Sequence, residues 1–272
     1  MNTFIELKNR YVLKGTLRGE EGLHIGTGVP GVDTDAPFIR QENRPFLPGS
    51  SLRGAMRSTV ERMVRSLWGP AACCTLFSEP SAGNDCWAGN KKVREKLEQA
   101  TSEGEGLRRD LAQGKGRLCP VCQLFGSTVM AARLKVTDAR LKHDQEPVRR
   151  DGVGIDRDTE TAADQIKYDF EVLDRGCEFE FSLHLENADD NDLALLYILL
   201  KELEHGMDVG GKKSRGLGRV MLTAYNVEYF DARWGLAKFL TEGLAKEEKG
   251  AFEKRLRGKF DALVKAGGPN GG

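Results

Sequence analysis

The 272-residue sequence carries no net charge, since Lys plus Arg and Asp plus Glu each total 41. A general electrostatic attraction to polyanions is therefore excluded, and any phosphate or nucleic-acid partner must be held by a local basic surface. Long apolar runs are missing too. No segment approaches the ~20 apolar residues that a membrane span needs, and the opening MNTFIELKNRYVLKG has no apolar stretch of signal-peptide length. The expectation is a cytoplasmic protein with no membrane partner. In that compartment the six cysteines read as thiols or metal ligands rather than disulfides. Apolar residues make up 39% of the chain, enough to bury a proper core in one large domain or two small ones.

Glycine is abundant, at 32 residues, and clustered in GLHIGTGVPG, SEGEGLRRDLAQGKGR, DVGGKKSRGLGR and the tail AGGPNGG. Between these clusters the hydrophobic pattern marks the elements. Tyr11, Leu13 and Leu17 near-alternate as an opening strand, followed by a Gly/Pro/Asp loop to Pro48. A helix then starts with Ser50 as N-cap, burying a face of Leu52, Met56, Val60, Met63, Val64 and Leu67. Residues 69–128 read as an irregular insertion with one short helix around KKVREKLEQA and five of the six cysteines. RLKVTDARL is a strand candidate, and the polar stretch after it an exposed excursion. YDFEVLDRGCEFEFSLHLE reads as a hairpin turning about Asp174–Gly176, and DDNDLALLYILLKELEHG as a capped helix ending at Gly206. A last strand, RVMLTAYNVEYF, precedes one or two charged helices over 232–266. Without the insertions this order is β-α-β-β-α-β, an α+β ferredoxin-like (RRM-like) arrangement.

Three stretches carry candidate chemistry. In LPGSSLRGAMR a helix start offers unpaired backbone N–H groups, and Ser50, Ser51, Arg53 and Arg57 can complete a phosphate cradle; a plain capped surface helix is the other reading. In DVGGKKSRGLGR, the glycines at 210 and 211 permit close backbone approach beside Lys212, Lys213, Ser214 and Arg215. The G-x-x-x-x-G-K spacing from Gly206 to Lys212 is not a nucleotide phosphate loop, because Lys213 stands where a Ser or Thr must hold magnesium. The pair Cys119 and Cys122 in CPVC has zinc-knuckle spacing, with Cys73, Cys74 and Cys86 available as further ligands; a structural zinc would order the insertion. A redox role for CPVC would want a thioredoxin-like setting that the flanking sequence lacks. Asp33 and Asp35 lie in the loop before the first basic site, and His24 at a strand end.

Taken together and in order, GLHIGTG, DAPFI, PFLPGSSLRGAMR, CPVCQLFGS, RRDGVGIDRDTETA with YDFEVL, and GGKKSRGLGRV resemble the RAMP-superfamily backbone subunits of type III CRISPR effector complexes. The resemblance implies a palm over residues 1–230, including a zinc-binding insertion (69–128) and a thumb (143–168), then a helical segment with a glycine-rich tail (231–272). It implies several copies lined along a guide crRNA beside other effector subunits, with complementary target RNA cut once per subunit. His24, Ser50, Ser51, Arg53, Arg57 and the loop from Gly210 would contact RNA, with Val153 and Ile155 as apolar wedges on the thumb. The family's cleaving aspartate precedes a small-Pro-aliphatic run, which is Asp35 here, with Asp33 as fallback and Mg2+ or Mn2+ assisting. The family pattern favours Cys73 as a zinc ligand, although the doubled Cys73-Cys74 leaves the choice open. A non-catalytic scaffold of such a complex and a guide-processing endoribonuclease are the alternatives.

Overall fold

The computed structural model describes residues 6–75, 84–113, 115–155, 157–158 and 160–269. Parts of the expected insertion, thumb and tail lie outside these residues. The strands are β1 (Asn9–Gly19), β2 (Arg40–Gln41), β3 (Arg44–Leu47), β4 (Leu134–Val136), β5 (Ala139–Leu141), β6 (Val148–Ile155), β7 (Ala162–Val172), β8 (Glu178–Glu186), β9 (Met207–Asp208), β10 (Arg219–Asp231) and β11 (Ala245–Glu247). The helices are α1 (Gly49–Trp68), α2 (Lys91–Glu98), α3 (Ser102–Gln113), α4 (Pro120–Phe125), α5 (Asp190–His205), α6 (Leu236–Glu242) and α7 (Lys249–Lys265).

Nine strands form one sheet in the order β11-β10-β1-β8-β5-β3-β2, with β4 also on β8 and β9 on β10. Every pairing in it is antiparallel. In β8 the alternating Phe179, Phe181, Leu183 and Leu185 are buried, as a one-sided strand requires. Helices α1 and α5 cover that face, and α7 adds Phe252 and Leu256 to the same core. The fold is α+β. A groove of about 820 Å³ lies on the other side of the sheet and is lined by none of the expected site residues.

Helix α5 begins at the expected acidic cap: Asp189 accepts from the Asp192 backbone and Asp192 from that of Asp189. It stops where Gly206 takes φ 102°, a conformation only glycine adopts cheaply. Helix α1 differs from expectation. It starts at Gly49, one residue before Ser50, and its first N–H donates to the Asp138 carboxylate at 2.7 Å. Ser50 is therefore an exposed helical residue rather than the cap, and Leu67 is 46% exposed while Trp68 beside it packs against the core.

Two further expectations are corrected. The strands around Asp174–Gly176 are not a hairpin: β7 pairs with β6 as a separate two-stranded sheet, and β8 pairs with β1, β4 and β5. Local alternation cannot tell which neighbour a strand will choose. The insertion is also more helical than it reads, holding α2, α3 and α4.

Candidate nucleic-acid interface and metal centre

Strand register brings the candidate loops to one end of the sheet. Gly19 at the end of β1 faces Val220 at the start of β10, and Arg18 faces Glu178 at the start of β8. The loop from Gly22 to Ile39, the β6–β7 hairpin and the glycine-rich loop before β10 all attach there. Helix α1 reaches this end by packing on β9, which opens the glycine-rich loop.

Strand β7 lies between two of these loops, and its period-2 alternation gives each one face. On one face, Asp169 and Glu171 hold the loop that carries Asp33 and Asp35. Asp169 Oδ1 accepts from Thr34 Oγ1 at 2.5 Å and from the Asp35 backbone at 2.8 Å, while the Asp169 backbone donates to Asp35 Oδ2 at 3.0 Å. Arg149 of β6 pairs with Asp169 Oδ2 at 2.7 Å and reaches the Asp33 carbonyl at 3.2 Å. These bonds, that from Thr34 foremost, hold the Asp169 carboxyl below the usual carboxylate range. Glu171 is likewise held down, chiefly by Arg40, which binds both its oxygens at 2.7 and 3.0 Å. Asp33 and Asp35 themselves are exposed.

On the opposite face, Tyr168 and Phe170 meet the glycine-rich loop. The Lys212 ammonium sits 4.7 Å from the centre of the Tyr168 ring and 4.3 Å from that of Phe170, and Arg215 donates to the Tyr168 hydroxyl. The loop must be glycine at 210, where φ is +85° and a Cβ would stand 2.3 Å from the His24 carbonyl oxygen. That carbonyl accepts from the Gly211 N–H at 2.9 Å. His24 is buried, its Nδ1 donating to the Glu171 carbonyl at 2.7 Å, and burial pushes its pKa down. The ring lies between the loop and β7, edge-on to Phe170 with 5.5 Å between ring centres. Further out, Val153 and Ile155 project from β6 at 49% and 64% exposure.

The expected phosphate cradle on α1 is only partly free. Ser50 is exposed and Ser51 half-buried, but Arg53 donates to the Phe125 carbonyl. Arg57, with a side chain only 13% exposed, has all three guanidinium nitrogens engaged: Nε on Glu61, Nη1 on the Gly126 carbonyl, Nη2 on the Cys122 sulfur. Arg57 is thus committed within the protein, whereas Arg53, half-buried, gives only Nη2 to a carbonyl among the described residues. They tie α1 to α4, whose C-terminal carbonyls attract cations.

Helix α4 and its N-cap residue supply half of a four-cysteine group. The sulfurs of Cys74, Cys86, Cys119 and Cys122 are all buried and lie within 4.8 Å of one another. A tetrahedral zinc with Zn–S bonds of about 2.3 Å places its sulfurs about 3.8 Å apart, so four soft donors at this spacing can hold a metal such as zinc. Cys73 is outside the group, its Sγ directed to the Cys74 carbonyl and approached by Arg65. Of the doubled pair that the sequence left open, Cys74 is the one within the group of four. Among the described residues, no other group of three or more such donors gathers. Cys177 is a separate buried thiol, pushed up to about 11 by burial.

Asp169, Glu171, Arg149 and Tyr168 escaped the sequence reading. For the three on β7 the local signal is the alternation Tyr-Asp-Phe-Glu, aromatic on one face of the strand and acidic on the other.

Residues 16–221 match the RAMP superfamily, and the chain belongs to it. Within that class it is similar to the CRISPR system Cms endoribonuclease Csm3 of Methanocaldococcus jannaschii, at 24% identity over 239 residues, 79% of each chain. The protein of the same name from Methanothermobacter thermautotrophicus is 32% identical over 85 residues, 27% of this chain and 35% of its own. No described helix is long and apolar enough to cross a membrane.

Proposed function

We propose that the chain is a backbone subunit of a type III CRISPR effector complex that binds guide crRNA and cuts complementary target RNA. The observation that carries this reading is the double use of β7: one face holds the Asp33–Asp35 loop, the other a cation-bearing loop. A strand of RNA following Lys212, Lys213, Ser214 and Arg215 would pass beside a carboxylate fixed to the same element. The strand order β10-β1-β8-β4/β5, all antiparallel, supports a ferredoxin-like palm. The β6–β7 hairpin is then the thumb, with Val153 and Ile155 wedging between nucleotides at each junction between copies. Ser50 and Ser51 at the start of α1 add anion contacts.

Cleavage in this reading needs a displaced nucleotide whose 2′-hydroxyl can align with the neighbouring phosphorus, and Asp35 supplies the carboxylate at that point. DNA lacks the hydroxyl and is spared. Target choice comes from base pairing with the guide, while the protein follows the backbone. The four-cysteine group would hold a structural zinc, which supplies folding free energy to the insertion. Asp33 and Asp35 form no ready-made cage for a magnesium or manganese ion, so no step is assigned to one.

The test is cleavage of guide-complementary RNA by assembled complexes carrying Asp35→Ala. Cutting should vanish at every regular site with guide content unchanged; undiminished cutting would leave a non-catalytic scaffold.

A further inference from the structure

The stretch from Gly26 to Asp35 buries almost nothing of its own. Residues 26–33 and Asp35 are exposed, and Val32 is fully so. Packing anchors the chain only beyond this stretch, at Ala36 on the Phe170 cluster and at buried Phe38, and so does not by itself set where the exposed Asp35 carboxylate stands. Asp169 does, through the reciprocal pair of backbone-to-carboxylate bonds and the Thr34 hydroxyl. Among the described residues, Asp35 Oδ2 is spent on this bond and Oδ1 accepts none. Asp169 is itself held from the hairpin side by Arg149, and its side chain is only 13% exposed.

Resting on the nuclease reading above, we infer that Asp169 is the positioning residue for Asp35. It fixes the acid to the base of the hairpin, so the element that displaces a nucleotide and the carboxylate that acts beside it move as one body. The cut then falls at a constant offset from each displaced nucleotide, because the distance between them is set inside one subunit. Asp169 touches no reacting atom. Its contribution is geometric, and misplacing a reacting group by about 1 Å can cost ~100-fold in rate.

The experiment uses the assembled, guide-loaded complex and a complementary target RNA under single-turnover conditions. Asp169→Ala should lower the cleavage rate about 10- to 100-fold while target affinity stays within about twofold of wild type. Asp169→Asn keeps an Oδ1 acceptor for Thr34 and the Asp35 N–H, and should recover most of the rate. Thr34→Val removes one of the same anchors from an exposed loop and should slow cutting several-fold, which keeps the assignment testable if Asp169→Ala fails to assemble. Wild-type cutting by Asp169→Ala, alongside loss of cutting in Asp35→Ala, overturns the positioning role alone. A parallel loss of rate and target affinity also overturns it, making Asp169 a binding residue. Undiminished cutting by Asp35→Ala overturns the nuclease reading beneath it.

Discussion

The Arg57 guanidinium points Nη2 at the Cys122 sulfur from 3.3 Å while Nη1 donates to the Gly126 carbonyl at 2.6 Å. One side chain therefore joins the first helix to the four-cysteine group. Four thiolates around a divalent cation carry an excess of two negative charges, and a buried arginine beside one sulfur offsets part of it. Second contacts of this sort orient ligands and tune the site.

Metal content should follow the geometry of the thiols. Elemental analysis of the purified protein is expected to give one zinc per chain, lost in Cys74→Ser and kept in Cys73→Ser. Chelation should expose residues 84–126 to protease before the sheet unfolds, since metal binding contributes their folding free energy.

Arg57→Ala should destabilise the protein by about 2–3 kcal/mol in denaturant titrations, because charged hydrogen bonds to a carbonyl and to Glu61 are lost in a mostly buried setting. Arg57→Lys should recover only part of this, since an ammonium cannot span Glu61, Gly126 and Cys122 together.

The start of α1 offers a paired comparison. Asp138→Ala removes the acceptor on the Gly49 N–H and should cost about 1 kcal/mol, whereas Ser50→Ala, at an exposed position that caps nothing, should stay within about 0.5 kcal/mol of wild type. Equal effects in thermal denaturation would contradict the register described for this helix.

Acid should loosen the grip of β7 on its loops. Both Asp169 and Glu171 have carboxyls held below the ordinary range, so the unfolded chain takes up protons first as pH falls. Their stabilisation is complete above the ordinary carboxylate pKa of about 4 and fades as pH drops through the depressed values. Denaturation midpoints of wild type and Glu171→Gln, compared between pH 6 and 3, should differ most at the upper end and converge at the lower.

Guide binding should weaken with salt by about 0.7 log units per log unit for each phosphate neutralised on a single strand. Lys213→Ala in the glycine-rich loop should reduce the slope by about that amount. Arg57→Ala should leave the slope unchanged, because its guanidinium is already committed within the protein.

Hydrophobic alternation in β8, the Asp189 cap and Gly206 stop of α5, and the two-residue spacing of Cys119 and Cys122 were all legible in the chain itself. Each depends on neighbours a few residues away, where pleat, helix pitch and capping chemistry act without regard to the rest of the fold. The partners of β7, the selection of Cys74 over Cys73, the turning of Arg53 and Arg57 onto α4, and the tie between Asp35 and Asp169 came only with the tertiary structure. The arginine and aspartate contacts join groups from 65 to 134 residues apart, and the cysteine choice lies between adjacent, chemically equal side chains. Nothing local distinguishes the alternatives; the packing of the sheet and helices decides which donor and acceptor come within reach.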